Sequence, residues 1–360
     1  MKVFHSPSSL LHSPSVYFRR GRTIAHLEQV GRYHVLKAAA ERGGHDLQTA
    51  VSYGQEPILR VHSQRYLQFL SEAWARRDEI EPDLDHVLPS HFARPQMMRY
   101  PSGMIGRVGF HMADTSTPIL ETTFAAVLAS ADVAVNAAEE AVSSGCAYGL
   151  CRPPGHHASA ESAGGFCFVN NSAVAAAHIQ QRLGCRVGII DVDVHHGNGT
   201  QSIFYQRDDI VTVSIHADPS TFMPYYAGYE DEIGEGEGTG FNLNLPLKHR
   251  SGDAIYLKSI EQAIEFCASR GVEALVVALG LDASEHDPNG ALSVTTQGFR
   301  AAGQRLGATK WPAAIIQEGG YLSDILGENL IAFLVGFEES RTSRDDRAEG
   351  EAFSLLLRQP

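Results

Sequence analysis

The sequence predicts a single α/β domain whose core is a mainly parallel β-sheet with helices on both faces. The prediction depends on five short runs in the second half of the chain that are apolar throughout rather than alternately apolar and polar. Strands of this kind are buried on both faces, which is typical of a parallel sheet between two layers of helices. The runs are AYGLC, RVGII, IVTVSI, ALVVALGL and AAIIQ.

Segments with helical periodicity precede and separate these runs. Because no repeat and no linker divides the chain, we assign residues 1–360 to one domain. A chain of 360 residues that is 43% hydrophobic can bury a large core. The helical segments are HLEQVGRYHVLKAAAERGG, SQRYLQFLSEAWARRDEI, TFAAVLASADVAVNAAEEAVSSG, NNSAVAAAHIQQRLG and GDAIYLKSIEQAIEFCASRG.

Residues 86–118, between the second and third helical segments, contain several prolines and have weak periodicity. Loops of this length inside a compact domain are often functional, so one interpretation is a loop that covers an active site. The other interpretation is a set of short helices, and the periodicity does not separate the two.

The charge distribution excludes some partners. The formal net charge is −13, and residues 101–360 carry twice as many acidic as basic side chains. An acidic body repels nucleic acid and anionic membranes, whereas it attracts a cationic ligand. The same charge also serves solubility alone.

The five cysteines form no C-x-x-C pair of the kind that binds zinc or exchanges electrons. The first residues lack the apolar core of a signal peptide, and no apolar run reaches the length of a membrane span. We therefore expect a soluble, cytoplasmic protein with no nucleic acid and no membrane as partner.

Four of the apolar runs end in polar residues that buried strands do not normally carry. Ligands of parallel-sheet proteins bind beyond the carboxyl ends of the strands, so these residues should meet at one edge. AYGLC leads to His156 and His157, RVGII to Asp191, Asp193 and His195, ALVVALGL to Asp282, and AAIIQ to Tyr321.

The run DVDVHH predicts a metal site. Residues two apart on a strand share a face, so Asp191, Asp193 and His195 project to one side. Two crowded carboxylates need a cation or a shared proton. Asp193 and His195, with Asp282 from a neighbouring strand, give three protein ligands and an open position, the layout of a catalytic zinc site. Iron(II) is the alternative metal.

Proton transfer and charge stabilisation have candidates at the same edge. Imidazoles titrate in the range that a general base and acid require, and His156 and His157 stand together in a loop fixed by two prolines. Asp191 and Asn198 are candidate partners that would fix their tautomers. Tyr321, after two glycines, can donate a hydrogen bond to a developing oxyanion.

Five blocks resemble the signatures of the histone deacetylase superfamily, which has the arginase–deacetylase fold. They occur in order over residues 145–325 and are RPPGHHA, GGFCFVNNSAVAA, DVDVHHGNGTQ, LGLDASEHDP and EGGY. The resemblance implies that Asp193, His195 and Asp282 bind one zinc, that His157 is the principal base, and that Tyr321 acts in the transition state. It also implies a structural potassium site formed by the side chains of Asp191 and Ser214 and the backbone of Asp193, His195 and Ile215.

The same resemblance places the substrate tunnel. Phe166 corresponds to one aromatic wall, with Gly165 beside it in the same block, whereas Met223 stands where the opposite wall is usually aromatic. Asn198 replaces the aspartate that one branch of the superfamily has as partner of the second histidine. Asparagine resembles the class II and bacterial branch, and it should leave His157 less basic.

The segment ARPQMMRYPSGMIGRVGFHMADTSTPILETTFAAVLAS resembles the extended loop of bacterial acetylpolyamine amidohydrolases. That resemblance implies a homodimer in which the loop constricts the active site, with Asp114 as the nearest match to the acid that receives the substrate amine. Glu285 agrees with this group, whereas Asn289 stands where a eukaryotic polyamine deacetylase has a selective glutamate.

The resulting expectation is a zinc-dependent deacetylase of N-acetylated polyamines or diamines, small cationic substrates. One alternative is a broad-specificity deacetylase of acetyl-lysine in proteins. The other is an arginase-like hydrolase with two metals, which would need carboxylates where this chain has Gly197 and Ser284.

Overall fold

The computed structural model of the chain describes residues 1–94, 96, 99–309 and 311–356, the segment 343–356 by its backbone alone. The predicted covering segment 86–118 therefore lies within the described residues, apart from positions 95, 97 and 98. None of the helices described here is both long enough and apolar enough to span a membrane.

The chain forms ten strands and ten α-helices within the described residues. The strands are β1 (Lys2–His5), β2 (Val16–Arg19), β3 (Arg22–Ala25), β4 (Asp46–Thr49), β5 (Cys146–Gly149), β6 (Val187–Asp191), β7 (Ile210–Ala217), β8 (Asn242–Leu247), β9 (Ala274–Leu279) and β10 (Ala313–Gln317). The helices are α1 (Val30–Arg42), α2 (Glu56–Leu59), α3 (Gln64–Glu72), α4 (Met104–His111), α5 (Thr123–Ser144), α6 (Asn171–Leu183), α7 (Asn198–Phe204), α8 (Asp253–Ser269), α9 (Thr296–Gly307) and α10 (Leu326–Leu356).

Eight of these strands form one sheet in the order β4-β1-β5-β10-β9-β6-β7-β8, and every pairing in it is parallel. The prediction of a mainly parallel sheet is confirmed, and the five apolar runs are its strands β5, β6, β7, β9 and β10. The sequence did not predict β1, β4 and β8, nor the separate antiparallel hairpin of β2 and β3.

The continuous hydrophobicity of the central strands follows from burial on both faces. Alternate side chains enter different cores: Ile189 and Ile316 pack with helices α3, α5 and α6. Their neighbours Ile190 and Ile315 pack with α1, α8, α9 and α10. Helices therefore cover both faces, as the sequence predicts.

The strand order explains why the polar strand ends meet. Strands β5, β10, β9 and β6 are consecutive neighbours in the sheet, and all run in the same direction. Their carboxyl ends therefore lie side by side, although the strands end at positions as far apart in the sequence as Gly149 and Gln317. That residues 86–118 cover the active site stays a prediction. Helix α4 occupies the middle of the segment, and an irregular stretch follows it.

Candidate active site

Three predicted metal ligands meet at the carboxyl edge of β6 and β9. Asp193, His195 and Asp282 each offer a ligand atom, these atoms lie within 4.8 Å of one another, and all three residues are buried. The Asp282 Oδ2 atom has no hydrogen-bond donor and lies 3.3 Å from His195 Nδ1. A buried carboxylate oxygen without a donor is costly, and a divalent cation would satisfy it. The residues present therefore fit a metal ion.

The remaining carboxylate oxygens are held by backbone donors. Asp193 Oδ1 accepts a hydrogen bond from the His195 N–H at 2.8 Å, and Asp193 Oδ2 accepts one from the Gly319 N–H at 2.8 Å. Asp282 Oδ1 accepts one from the Val194 N–H at 3.1 Å. Such contacts orient a ligand before the metal binds.

Burial and charge act in opposite directions on the two acids. Burial raises the pKa of Asp282, and the neighbouring Asp193 carboxylate raises it further. Burial also works against ionisation of Asp193, but the imidazoles of His156 and His195 outweigh it and hold its pKa below the usual value. The site therefore concentrates negative charge in a buried place, which favours a cation.

Two glycines leave the space that the carboxylates occupy. A Cβ atom on Gly319 would lie 2.1 Å from Asp282 Oδ2 and 2.5 Å from Asp193 Oδ2. A Cβ atom on Gly280 would lie 2.2 Å from Asp193 Oδ2. Neither position admits a side chain unless a metal ligand moves.

The tandem histidines have different partners. His156 Nδ1 lies 2.9 Å from Asp191 Oδ2, and His157 Nδ1 lies 2.7 Å from Asn198 Oδ1. Burial opposes protonation of His156, but the carboxylates of Asp193 and Asp191 outweigh it and raise its pKa well above the usual value. Burial, and then the charge of His156, lowers the pKa of His157. His157 is thus the neutral imidazole of the pair.

Glu318 holds the histidine loop, a role that the sequence did not indicate. The side chain is fully buried, and its Oε2 accepts hydrogen bonds from the backbone N–H groups of Gly155 at 2.6 Å and His156 at 3.0 Å. Its Oε1 accepts one from the Ser172 hydroxyl at 2.6 Å. Burial raises the pKa of Glu318 to about 7. The only sequence signal was an acid at the end of an apolar strand.

Tyr321 is fixed by contacts from helix α1 and from the loop after β9. The Arg32 guanidinium lies 5.0 Å from the centre of the Tyr321 ring and donates to the carbonyls of Glu318 and Gly320. The Tyr321 N–H donates to Asp287 Oδ2 at 2.7 Å. Burial raises the pKa of the Tyr321 phenol well above its usual value, so the hydroxyl keeps its proton and can donate it in a hydrogen bond.

Arg32 and Asp287 are two further residues that sequence reasoning missed. Arg32 forms a buried ion pair with Glu28 at 2.7 Å, across one turn of chain at the start of α1. Burial, followed by the charge of Asp282, raises the pKa of Asp287 to about 7. Both residues fix the turn of Tyr321. Neither an Asp before a proline nor an Arg early in a helix forms a sequence pattern that indicates such a contact.

A pocket with a volume of about 260 Å³ opens onto the metal-binding group. It includes the four predicted substrate residues and three of the predicted chemical groups, His157, His195 and Tyr321. A larger surface cleft of about 620 Å³ shares only Asn198 with the predicted site, so we assign the substrate to the smaller pocket. The substrate residues that line it are Asp114, Gly165, Phe166 and Met223, and the unpredicted lining residues are Tyr17, Phe18, Arg19, Arg20, Thr115, Ser116, Phe222, Tyr225 and Asn289.

The Asp114 carboxylate is occupied by the pocket wall. Its Oδ1 accepts hydrogen bonds from the Ser116 N–H and hydroxyl, both at 2.8 Å, and from the Thr117 hydroxyl at 3.2 Å. Its Oδ2 accepts one from the Gly165 N–H at 2.7 Å. Phe166 has φ +70°, and its N–H donates to the Thr117 hydroxyl at 3.0 Å. Asp114 thus fixes the turn that presents Phe166, and its pairing with a substrate amine stays a prediction.

The wall opposite Phe166 keeps an aromatic ring despite Met223. The Phe222 ring stacks on the His195 imidazole, with centroids 4.9 Å apart and an angle of 21° between planes. On the Phe166 side, the Tyr17 ring makes an edge contact at 5.4 Å. Both walls are therefore apolar close to the metal-binding group.

The side-chain members of the predicted potassium site lie side by side. Asp191 and Ser214 are register partners on β6 and β7. Asp191 Oδ1 accepts a hydrogen bond from the Asp193 N–H at 3.1 Å, and Ser214 Oγ is 2.9 Å from His216 Nδ1. The potassium ion and the backbone ligands Asp193, His195 and Ile215 stay predictions.

An arginase-like second metal site finds no support. A Cβ atom on Gly197 would lie 2.3 Å from Asp191 Oδ2, so no carboxylate fits there. The Ser284 hydroxyl accepts hydrogen bonds from the His286 N–H at 3.3 Å and from the Asn329 side-chain amide at 3.2 Å. Over the residues that the structure describes, Asp193, His195 and Asp282 form the one group of three metal-binding side chains.

A parallel sheet with a buried Asp–His–Asp group at its carboxyl edge defines the class of the protein, a metal-binding hydrolase of the arginase–deacetylase fold. The family model of the histone deacetylase domain matches residues 26–336. The chain therefore belongs to the histone deacetylase family, and it is an amidohydrolase of the deacetylase type.

Individual relatives extend over nearly the whole chain. An acetylpolyamine amidohydrolase of Burkholderia pseudomallei is 40% identical over 341 residues, which cover 94% of this chain and 98% of the relative. An acetylpolyamine amidohydrolase of Mycoplana ramosa is 33% identical and covers 93% and 99%. The crystal structure of acetylpolyamine aminohydrolase from Burkholderia pseudomallei superposes with a TM-score of 0.90 at 39% identity, over 94% of this chain and 99% of that one.

The close approach of Gly319 to both carboxylates gives the first testable prediction. Gly319→Ala should lower zinc affinity by about tenfold or more, because the added methyl group displaces a metal ligand. Isothermal titration of the metal-free protein with zinc measures this affinity. Gly103→Ala is the matched control, since a Cβ atom there meets nothing within 4 Å. Equal affinities in the two variants would contradict the assigned geometry.

Proposed function

We propose that the protein is a zinc-dependent amidohydrolase that removes acetyl groups from N-acetylated polyamines or diamines. The observation that carries the proposal is the buried Asp–His–Asp group, with its unpartnered Asp282 Oδ2, at the base of a narrow apolar pocket. The acetylpolyamine amidohydrolase relatives support the substrate. Iron(II) remains the alternative metal.

A zinc ion held by Asp193, His195 and Asp282 would polarise the amide carbonyl and increase the acidity of a water molecule. The neutral His157 accepts a proton from the attacking water, because its Nδ1 is committed to Asn198 and its Nε2 is the nitrogen left for the reaction. The same imidazole then gives this proton to the leaving amine.

Two other side chains stabilise charge. The Tyr321 hydroxyl lines the pocket and donates a hydrogen bond to the carbonyl oxygen as that atom becomes negative. His156, paired with Asp191, contributes positive charge beside the reacting atoms without moving a proton. Water enters as a reactant, the amide C–N bond breaks, and acetate and a primary amine leave.

Several features of the whole protein support a small cationic substrate. Residues 101–360 are strongly acidic, and the field around such a body attracts a polyamine. Residues 114–116 of the covering segment line the pocket, which favours a thin, extended substrate over a folded protein surface. A homodimer, a structural potassium ion and a cytoplasmic location belong to the same proposal. A broad-specificity deacetylase of protein acetyl-lysine is the alternative.

Comparison of substrates tests the proposed function. Acetylputrescine or acetylcadaverine should have a higher kcat/KM than an acetyl-lysine peptide, measured as acetate release by the zinc-loaded enzyme. Steric exclusion should persist at high salt, whereas any contribution of charge should weaken. A peptide that is preferred at both low and high salt would contradict the polyamine assignment and favour the protein deacetylase.

Tyr321→Phe tests the role of the phenol. The variant should lose about a hundredfold or more in kcat with little change in KM, because the hydrogen bond strengthens only in the transition state. Its zinc content, measured by mass spectrometry, should match that of the wild type. A kcat that stays at the wild-type value would mean that Tyr321 only packs against Phe166 and Arg32.

The division of labour between the histidines is also measurable. His157→Ala should reduce kcat more than His156→Ala, because His157 lines the substrate pocket and His156 is not among its lining residues. The two rates are compared at equal zinc occupancy. Small losses of equal size in the two variants would count against the proposed roles.

A further inference from the structure

One rim of the pocket carries positive charge. The hairpin of β2 and β3 contributes four lining residues, and two of them are Arg19 and Arg20. Arg19 is half-buried and Arg20 is exposed. Asp114 is the one acidic side chain among the described lining residues.

The hairpin is anchored to the pocket wall, so the arginines are held at the rim. The Tyr17 side chain is buried, and its ring contacts Phe166. On the adjacent residue of the hairpin, the Phe18 carbonyl accepts a hydrogen bond from the Thr115 hydroxyl at 3.1 Å. These contacts tie both Tyr17 and Phe18 to the two chain segments that form the substrate walls.

Neither arginine is neutralised by a carboxylate among the residues that the structure describes. The Arg19 guanidinium donates to the Tyr17 hydroxyl, and the Arg20 guanidinium donates to the Tyr225 hydroxyl, each at 3.4 Å. The four hydrogen bonds that Asp114 accepts come from Ser116, Thr117 and Gly165, and none comes from an arginine. Both guanidinium groups therefore keep donors that a ligand can use.

We propose that the pocket also hydrolyses N-acetylated amines that carry a carboxylate at the far end of the chain, and that Arg19 and Arg20 select them. A guanidinium binds a carboxylate through paired, charge-assisted hydrogen bonds. Salt screens the more distant acidic residues, so the two arginines at the rim can bind a carboxylate although the body of the protein is acidic.

The inference rests on the proposed function, because it uses the same hydrolytic groups. Water adds to the acetamide carbonyl, the C–N bond breaks, and the products are acetate and an ω-amino acid. The proton that the leaving amine takes up comes from the attacking water. Only the end of the substrate that faces the rim differs from that of an acetylated diamine.

Three substrates of equal chain length separate the possibilities. 5-Acetamidopentanoate ends in a carboxylate, N-pentylacetamide is neutral, and N-acetylcadaverine ends in an ammonium group. In the zinc-loaded wild type at low salt, kcat/KM for the carboxylate should exceed that for the neutral amide by about fivefold, the effect of an exposed ion pair near its upper range. The advantage should shrink at high salt.

Variants identify the residues responsible. In Arg19→Gln/Arg20→Gln the ratio of kcat/KM for the carboxylate to kcat/KM for the neutral amide should fall from about five to about one. Arg22→Gln is the matched control, because Arg22 lies on the same hairpin and is exposed but does not line the pocket. Its preference for the carboxylate should equal that of the wild type.

The outcomes distinguish the inference from the proposed function. If the wild type shows no preference for the carboxylate over the neutral amide, or if the double variant keeps that preference, the inference is wrong. If none of the three amides releases acetate, the proposed deacetylase function fails as well. If N-acetylcadaverine is hydrolysed and 5-acetamidopentanoate is not, the proposed function stands and the inference is overturned.

Discussion

Two buried carboxylates, Asp193 and Asp282, share one small space with the imidazole of His195. Their charges repel each other where water cannot screen them, and one of their oxygens has no hydrogen-bond donor. A divalent cation removes both costs at once. The arrangement is therefore unfavourable as a purely structural feature and favourable as a metal site.

The residues around the Asp–His–Asp group keep space free for a ligand and fix the neighbouring loops. Gly280 and Gly319 leave room where any side chain would touch a carboxylate. Glu318 fixes the histidine loop on one side, and Arg32 fixes the turn of Tyr321 on the other. Glu318 and Tyr321 both follow strand β10. The end of this strand therefore positions the loop of the base His157 as well as the oxyanion donor Tyr321, and it lies beside β9, which leads to Asp282.

The sequence predicted the parts of the molecule in which one local pattern determines the structure. Continuous apolar runs identified the central strands because these strands are buried on both faces, whereas β1, β4 and β8 are short or carry alternating polar residues. The candidate metal ligands Asp193, His195 and Asp282 were predictable because they follow the ends of apolar strands. Glu318, Arg32 and Asp287 were not, since their partners come from distant segments. The pairing of Asp114 with a substrate amine stays a prediction, and the hydrogen bonds that its carboxylate accepts in the structure come from the pocket wall.

The proposed amide hydrolysis depends most directly on a single cation in the Asp–His–Asp group. The measurement that tests it is a zinc titration of the metal-free protein, with acetate release followed in the same samples, for the wild type and Asp282→Asn. We predict one tightly bound zinc per wild-type chain and activity that rises in proportion to zinc occupancy. In the variant we predict weakened zinc binding and little activity. Two tight sites per chain, or full zinc binding and normal turnover in Asp282→Asn, would contradict it.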